Sequence, residues 1–256
     1  MAAATNPLTY NDYVSQIATL AVVQTTTSSG VVVGVDAEFN TLIPQMLNYA
    51  ELRIQRDLDL LPSQTTNTYT LNVNSNLLQV PVDDFVTVQT VGLVNGTATI
   101  PMLPATKEYL QNLYNDSSFT AQPVYFAMLG GDLASGGNTF NNIVFGPYSN
   151  STYSISITGT IRLPSLYKFA TQALAASGTT FISTYLPDML IQASMIYISQ
   201  FQRNFGPAAN DPNMGPTYEL QYQNLLKSAF VEEARKKFQA SAWSSMSPSM
   251  AATPTR

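Results

Sequence analysis

The spacing of apolar residues changes twice along this 256-residue chain. Up to about residue 61 they recur every three or four positions. From 63 to about 180 they recur every second position, and from there to about 240 the longer spacing returns. A helical period at both ends with a strand period between them admits few architectures. The economical one is α+β: a helical bundle built from the N- and C-terminal segments, with a β-rich, sandwich- or barrel-like insertion. The expected boundaries are 1–62 and 183–243 for the helical domain, 63–182 for the insertion and 244–256 for an extended tail.

Local signals give the expected elements. Thr9 and Asp12 have capping-box spacing ahead of Tyr10, Val14, Ile17 and Ala21, so a helix is expected over 9–24. "TTTSSG" (Thr25–Gly30) interrupts the pattern. A long helix is expected over 37–61, with Pro44 at its start or at a kink and Pro62 as its stop. "TYTLNV" (Thr68–Val73) and "YSISITGTI" (Tyr153–Ile161) alternate as strands, and "FVTVQTVGLV" followed by Asn95-Gly96 reads as a hairpin. Pro104–Asn115 reads as a short helix with Pro104 near its first position. "LGGDLASGGN" (Leu129–Asn138) reads as a loop tip. Two helices, Pro187–Phe205 and Pro216 to about Ala240, close the pattern.

The long helix carries charge in a chain with little of it. There are 11 Lys+Arg and 16 Asp+Glu, and charged residues make up 11%, under half of the usual roughly 25%. Yet Glu51, Arg53, Arg56, Asp57 and Asp59 fall within nine positions. At 100° per residue, Ile43, Leu47, Ala50, Ile54, Leu58 and Leu61 fill roughly an 80° arc, flanked by Phe39 and Met46. Leu42, Tyr49, Leu52 and Leu60 form a second apolar stripe. A polar strip of Thr41, Asn48, Glu51, Gln55 and Asp59 separates the two, and Arg53 and Arg56 border the second stripe. Arg53–Asp57 and Arg56–Asp59 are spaced to pair locally. Two apolar stripes require two partners. The second is either another copy of the chain, with Tyr49, Leu52, Arg53, Arg56 and Leu60 at the subunit contact, or another helix of a monomeric bundle. In the last helix the apolar face shifts from Tyr222, Leu225, Leu226 and Ala229 to Val231, Ala234 and Phe238. Glu232–Lys236 and Glu233–Lys237 read as solvated pairs. Trp243 and Met246 stand out as anchors in a polar tail.

Composition excludes several functions. A net charge of −5 is the wrong sign for a protein that binds nucleic acid through its phosphates. There is no cysteine and no histidine, which removes thiolate nucleophiles, Ser-His and Cys-His pairs, and the usual zinc sites. "MAAATNPLTYND" has neither the basic nor the apolar region of a signal peptide. No window of about 18 apolar residues marks a membrane span. The remaining enzyme class is a carboxylate-dependent hydrolase. Its candidate acids are weak: Asp83-Asp84 reads as a turn, and Asp188 follows Pro187 in the first turn of a helix, where the dipole favours a carboxylate. No catalytic residue, metal site or cofactor is expected.

"FNTLIPQMLNYAELRIQRDLDLLP" resembles the hallmark helix of the tailed-phage head–tail adaptor (connector) proteins of podovirus-like phages. The matching features are Pro44, Tyr49–Glu51, Arg53-Ile54, Arg56 and Leu58–Leu61. "PVYFAML" (Pro123–Leu129), "TTFISTYLPDMLIQASMIYIS" (Thr179–Ser199) and "YELQYQNLL" (Tyr218–Leu226) are similar to later segments of that family in the same order, so the likeness spans residues 9–240. The family often has a Pro-rich turn with an acid before its "Y-x-I/L" strand. Here "FGPYSNSTYSISI" keeps Pro147 but has no acid. The resemblance implies a structural virion protein with no catalysis and no cofactor. It implies a homo-oligomeric ring, with twelve copies expected, between the portal protein and the tail nozzle or other tail proteins. DNA would pass through the channel without sequence-specific binding, and no membrane would be involved. The protein would be made in the host cytoplasm and reside at the head–tail junction, with Trp243 and Met246 in a portal-binding tail. The other structural reading is a different neck or tail component, such as a nozzle or minor head protein.

Overall fold

A computed structural model describes residues 7–81, 85–133, 139–201 and 214–241. The chain forms two compact units. One comprises Met1–Leu61 and Leu163–Arg256, the other Pro62–Arg162.

The first unit opens with α1 (Tyr10–Leu20). Its capping box is reciprocal: the Asp12 N–H donates to Thr9 Oγ1 at 3.2 Å and the Thr9 N–H to Asp12 Oδ2 at 3.3 Å. The Thr25–Gly30 interruption contains the first strand of a hairpin, β1 (Thr25–Ser28) paired with β2 (Val31–Gly34). Ser29 and Gly30 form its two-residue turn with φ of +51° and +79°. Positive φ at both positions is the twist that a tight hairpin needs. α2 follows, Ala37–Asp57, capped by Asp36 and carrying Pro44 inside it. It ends four residues before the expected Leu61. Leu58 is already extended, with φ −120° and ψ 129°. Leu58 and Leu60 are both buried while Asp59 is exposed, so an extended segment delivers alternate leucines to the core where a helix was expected.

The second unit runs through β3 (Gln64–Leu71), β4 (Leu77–Pro81), β5 (Thr87–Asn95), β6 (Ala98–Pro101), β7 (Leu103–Pro104), α3 (Lys107–Leu113), β8 (Thr120–Ala121), β9 (Tyr125–Leu133), β10 (Thr139–Gly146), β11 (Tyr148–Ser149) and β12 (Tyr153–Thr160). One sheet has the order β3-β12-β5-β6, a second β4-β10-β9-β7, and β8 and β11 form a short parallel pair. Leu71, Leu93, Ile155 and Ile157 from the first sheet share one core with Val80, Ile143 and Phe145 from the second. Three expectations shift. The β5–β6 turn falls one residue later than Asn95-Gly96, because Asn95 pairs with Ala98 and leaves Gly96 (φ +61°) and Thr97 in the turn. Pro104 lies in β7, and Thr106 caps α3. β9 extends through Gly130 and Gly131 to Leu133, and the rest of the expected loop tip lies outside the described residues.

The chain leaves the β unit at Arg162, well before residue 182. The reason is burial: Leu166 and Ala175 pack into the helical core. After α4 (Phe181–Tyr185), α5 (Pro187–Phe201) and α6 (Met214–Ser241) complete that unit. Its core joins Tyr13, Val14 and Ile17 of α1, Phe39, Ile43, Leu47, Ala50 and Ile54 of α2, Leu190, Ala193 and Ile198 of α5, and Tyr222 of α6. The first apolar stripe of α2 is therefore the core-facing one, as expected.

Gly159 sits where the β12–β5 register shifts. A Cβ there would lie 2.2 Å from the Thr87 carbonyl oxygen and 2.7 Å from Phe85 Cδ1. Gly159→Ala should cost about 2 kcal/mol through overpacking, read as a lower urea midpoint with unchanged slope.

Candidate functional site

The charged segment of α2 is divided among three kinds of contact, each set by where the helix turns its side chains. Arg53 faces α6. Its Nη2 donates to Glu219 Oε1 at 2.7 Å, its Nε lies 3.7 Å from Asp57 Oδ2, and its guanidinium sits 4.3 Å above the Tyr222 ring centroid. The Tyr222 hydroxyl donates to Asp57 Oδ2 at 2.7 Å, and Gln223 Nε2 donates to Glu219 Oε1 at 2.8 Å. The hydrogen bond to Glu219 raises the Arg53 pKa, and the same bond holds the Glu219 carboxyl below its usual range. Burial, reinforced by the bond to Asp57, pushes the Tyr222 hydroxyl up.

The polar strip of α2 is divided: Thr41, Asn48 and Asp59 are exposed, whereas Glu51 is buried and Gln55 half-buried. Glu51 is 2% exposed, and its Oε1 accepts the Leu166 N–H at 2.8 Å. One turn on, Gln55 Oε1 accepts the Leu163 N–H at 3.1 Å. These two side chains bind the backbone of the chain as it returns from the β unit. Glu51 Oε2 is buried without a partner. Burial raises the Glu51 carboxyl to about 7, against the nearby Ser165 side chain and the Leu166 N–H, which lower it.

The expected contact residues therefore separate. Leu60 is 1% exposed and belongs to the core of its own unit, which removes it from the subunit contact. Its inward direction follows from the early end of α2. Arg53 is engaged with α6, and Leu52 is half-buried. Tyr49 is 48% exposed and rests against Tyr197 with ring centroids 5.5 Å apart. Arg56 is exposed, but its expected partner Asp59, now beyond the helix, pairs with Lys237 instead.

On α6, Lys236 binds both Glu232 (2.7 Å) and Glu233 (2.8 Å). The expected shift of apolar face does not occur at Val231 and Ala234, which are exposed. The buried line Tyr222–Ala229 continues through Glu233, 5% exposed, whose Oε2 accepts the Leu61 N–H at 3.0 Å. Phe238, Asp83, Asp84, Trp243 and Met246 lie outside the residues whose side chains are described.

Among the described residues no cluster of three potential metal ligands occurs, and no helix is long and apolar enough to cross a membrane. A cleft of about 440 Å³ beside α3 is lined by Asn76, Lys107, Leu110, Gln111, Tyr114, Asn115, Leu129, Val144, Phe145 and Tyr148. It contains no carboxylate, so it lacks the facing acids that a carboxylate hydrolase needs.

A family model described as SU10 adaptor protein matches residues 8–249. No curated protein matches the chain.

The raised Glu51 carboxyl makes a signed prediction. The folded state holds this proton more tightly than the unfolded chain, whose ordinary value is 4.5. Its contribution is therefore most favourable below pH 4.5 and is lost as pH rises through about 7. Glu51→Gln should remove that loss. The stability difference between variant and parent, from denaturation at pH 4.5 and pH 8, should move in the variant's favour at the higher pH by on the order of 3 kcal/mol.

Proposed function

This chain belongs to the SU10 adaptor protein family, and from that premise we propose that it forms a ring between the portal and the tail of a phage. Membership makes it a structural adaptor of the virion, associated with other head and tail proteins. The finer reading is a ring of twelve copies that continues the DNA channel from the portal toward the tail nozzle. The observation that carries it is the family match over nearly the whole chain, in the same segments that resemble head–tail adaptors.

The chemistry of the chain supports this reading. A net charge of −5 gives DNA no phosphate-neutralising surface to adhere to while it passes. A surface with few charges packs against protein at little cost in desolvation. In the ring, the exposed Tyr49 with Leu52 and Arg56 faces the neighbouring copy. Arg53 acts through its bond to α6, fixing the position of Tyr49's helix. The tail bearing Trp243 and Met246 lies along the portal. The role calls for no catalytic residue and no cofactor.

An image reconstruction of intact particles tests the placement: density for this protein should lie between portal and tail, and density elsewhere overturns the reading. The tail assignment has its own test. Protein truncated after Ala240 should keep its far-ultraviolet dichroism yet fail to sediment with portal-bearing capsids, and undiminished binding would rule the tail out.

A further inference from the structure

Of the four edge strands in the two four-stranded sheets of the β unit, all but one are blunted. β6 has four residues and ends at Pro101, β4 has five and ends at Pro81, and β7 has two, the second being Pro104. Short length and proline are the usual protections against pairing with another chain. β3 has neither. It runs for eight residues, "QTTNTYTL", with no charge and no proline, and pairs with β12 without any register shift.

The direction of its backbone groups follows from the ladder. The Ile161 N–H donates to the Ser63 carbonyl at 2.8 Å. Ser63 and Ile161 are thus a hydrogen-bonded antiparallel pair, and the alternation carries this on to Thr65, Asn67, Tyr69 and Leu71. The N–H and C=O groups of Gln64, Thr66, Thr68 and Thr70 point away from β12, and all four residues are exposed. No described residue outside the strand pairs with them.

The helical unit carries a second bare edge. The Val35 N–H donates to the Gln24 carbonyl at 2.8 Å, so the same alternation turns the backbone groups of Thr25 and Thr27 outward from β1. All four β1 residues are exposed. An isolated two-stranded hairpin is marginal and gains from a third strand.

We propose that β1 of one copy adds to β3 of the next, extending the four-stranded sheet across the boundary between copies. A closed ring needs two different, mutually fitting surfaces on each subunit. These two edges are both uncharged and both threonine-rich, so pairing leaves no buried charge unmatched. In antiparallel register Thr25 and Thr27 exchange backbone hydrogen bonds with two of the four outward residues of β3. The inference deepens the ring reading and rests on it.

The absence of cysteine makes the test direct. Thr27→Cys protein and Thr66→Cys protein, full length, are mixed and treated with a short bis-maleimide while native mass is followed. The cross-linked dimer should form at least tenfold more than with Thr27→Cys and Thr99→Cys, where Thr99 lies on the blunted β6. Thr66→Pro, combined with Thr68→Cys, should abolish the cross-link to Thr27→Cys. It removes one outward N–H and leaves the ladder to β12 intact, with folding checked by circular dichroism. A yield equal to the Thr99→Cys control, or cross-linking of Thr66→Cys to itself, overturns the proposal. Rings without the cross-link would refute the strand pairing and leave the ring reading standing. Monomers without it would also refute the pairing, and the ring reading would then rest on the particle image alone.

Discussion

The helical unit depends on the way α2 disposes of a strand of backbone. The chain that returns from the β unit brings the part-buried Leu163 amide and the buried Leu166 amide against the helix. A buried N–H left unpaired costs as much as a lost hydrogen bond. Gln55 and Glu51, one turn apart, accept both. That pair fixes where the return segment lies, and so where Leu166 enters the core. The arrangement has a cost, since the second carboxyl oxygen of Glu51 has no partner. A carboxyl in that position is more comfortable protonated, which is the physical origin of its raised pKa.

This contact also explains which parts of the fold were legible in the sequence. The Thr9–Asp12 capping box, the core stripe of α2 and the alternation of Tyr153–Thr160 depend on neighbours a few residues away, and the chain adopts them as written. The end of α2 does not. Leu58 and Leu61 fit a helical stripe as well as Ile54 does, and the competing extended path is decided by Glu233, 172 positions from Leu61 along the chain. That Glu51 and Gln55 of the polar strip would serve backbone amides could not be read, because no local signal announces a segment returning from a hundred residues away. The one hint was that a strip enclosed by two apolar stripes had little room to meet water. The Ser29-Gly30 turn was readable in principle, as a Ser-Gly pair between threonines and valines.

The same reasoning narrows what the charges of α2 say about assembly. A helix with two apolar stripes needs two partners, but much of the second is met within the chain. Arg53 is held by Glu219 and stacked on Tyr222, and Leu60 is enclosed. Partly exposed ion pairs of this kind add little stability, typically under about 1 kcal/mol, but they fix the rotation of α2 against α6. What they leave on the surface is Tyr49, set against Tyr197, and Arg56, which pairs with no carboxylate among the described residues. The helix is thus a positioning device first, and in the proposed ring its own share of the contact falls to Tyr49, Leu52 and Arg56, beside the strand edges.

A chain with so little charge has given up the commonest defence against unwanted strand pairing. Lysines on edge strands are the usual remedy, and β3 has none. Proline and brevity guard the other three edge strands of the two four-stranded sheets, so the omission is selective. An eight-residue bare edge would be a hazard to a protein that spends its life free in solution, because any exposed strand could add to it. It is tolerable in a protein whose working state is an assembly that keeps the edge covered. The contrast between guarded and unguarded edges is therefore better evidence for a partner than the apolar stripe on α2, since a helix stripe can be satisfied by the chain's own helices, whereas no described residue pairs with the outward amides of β3.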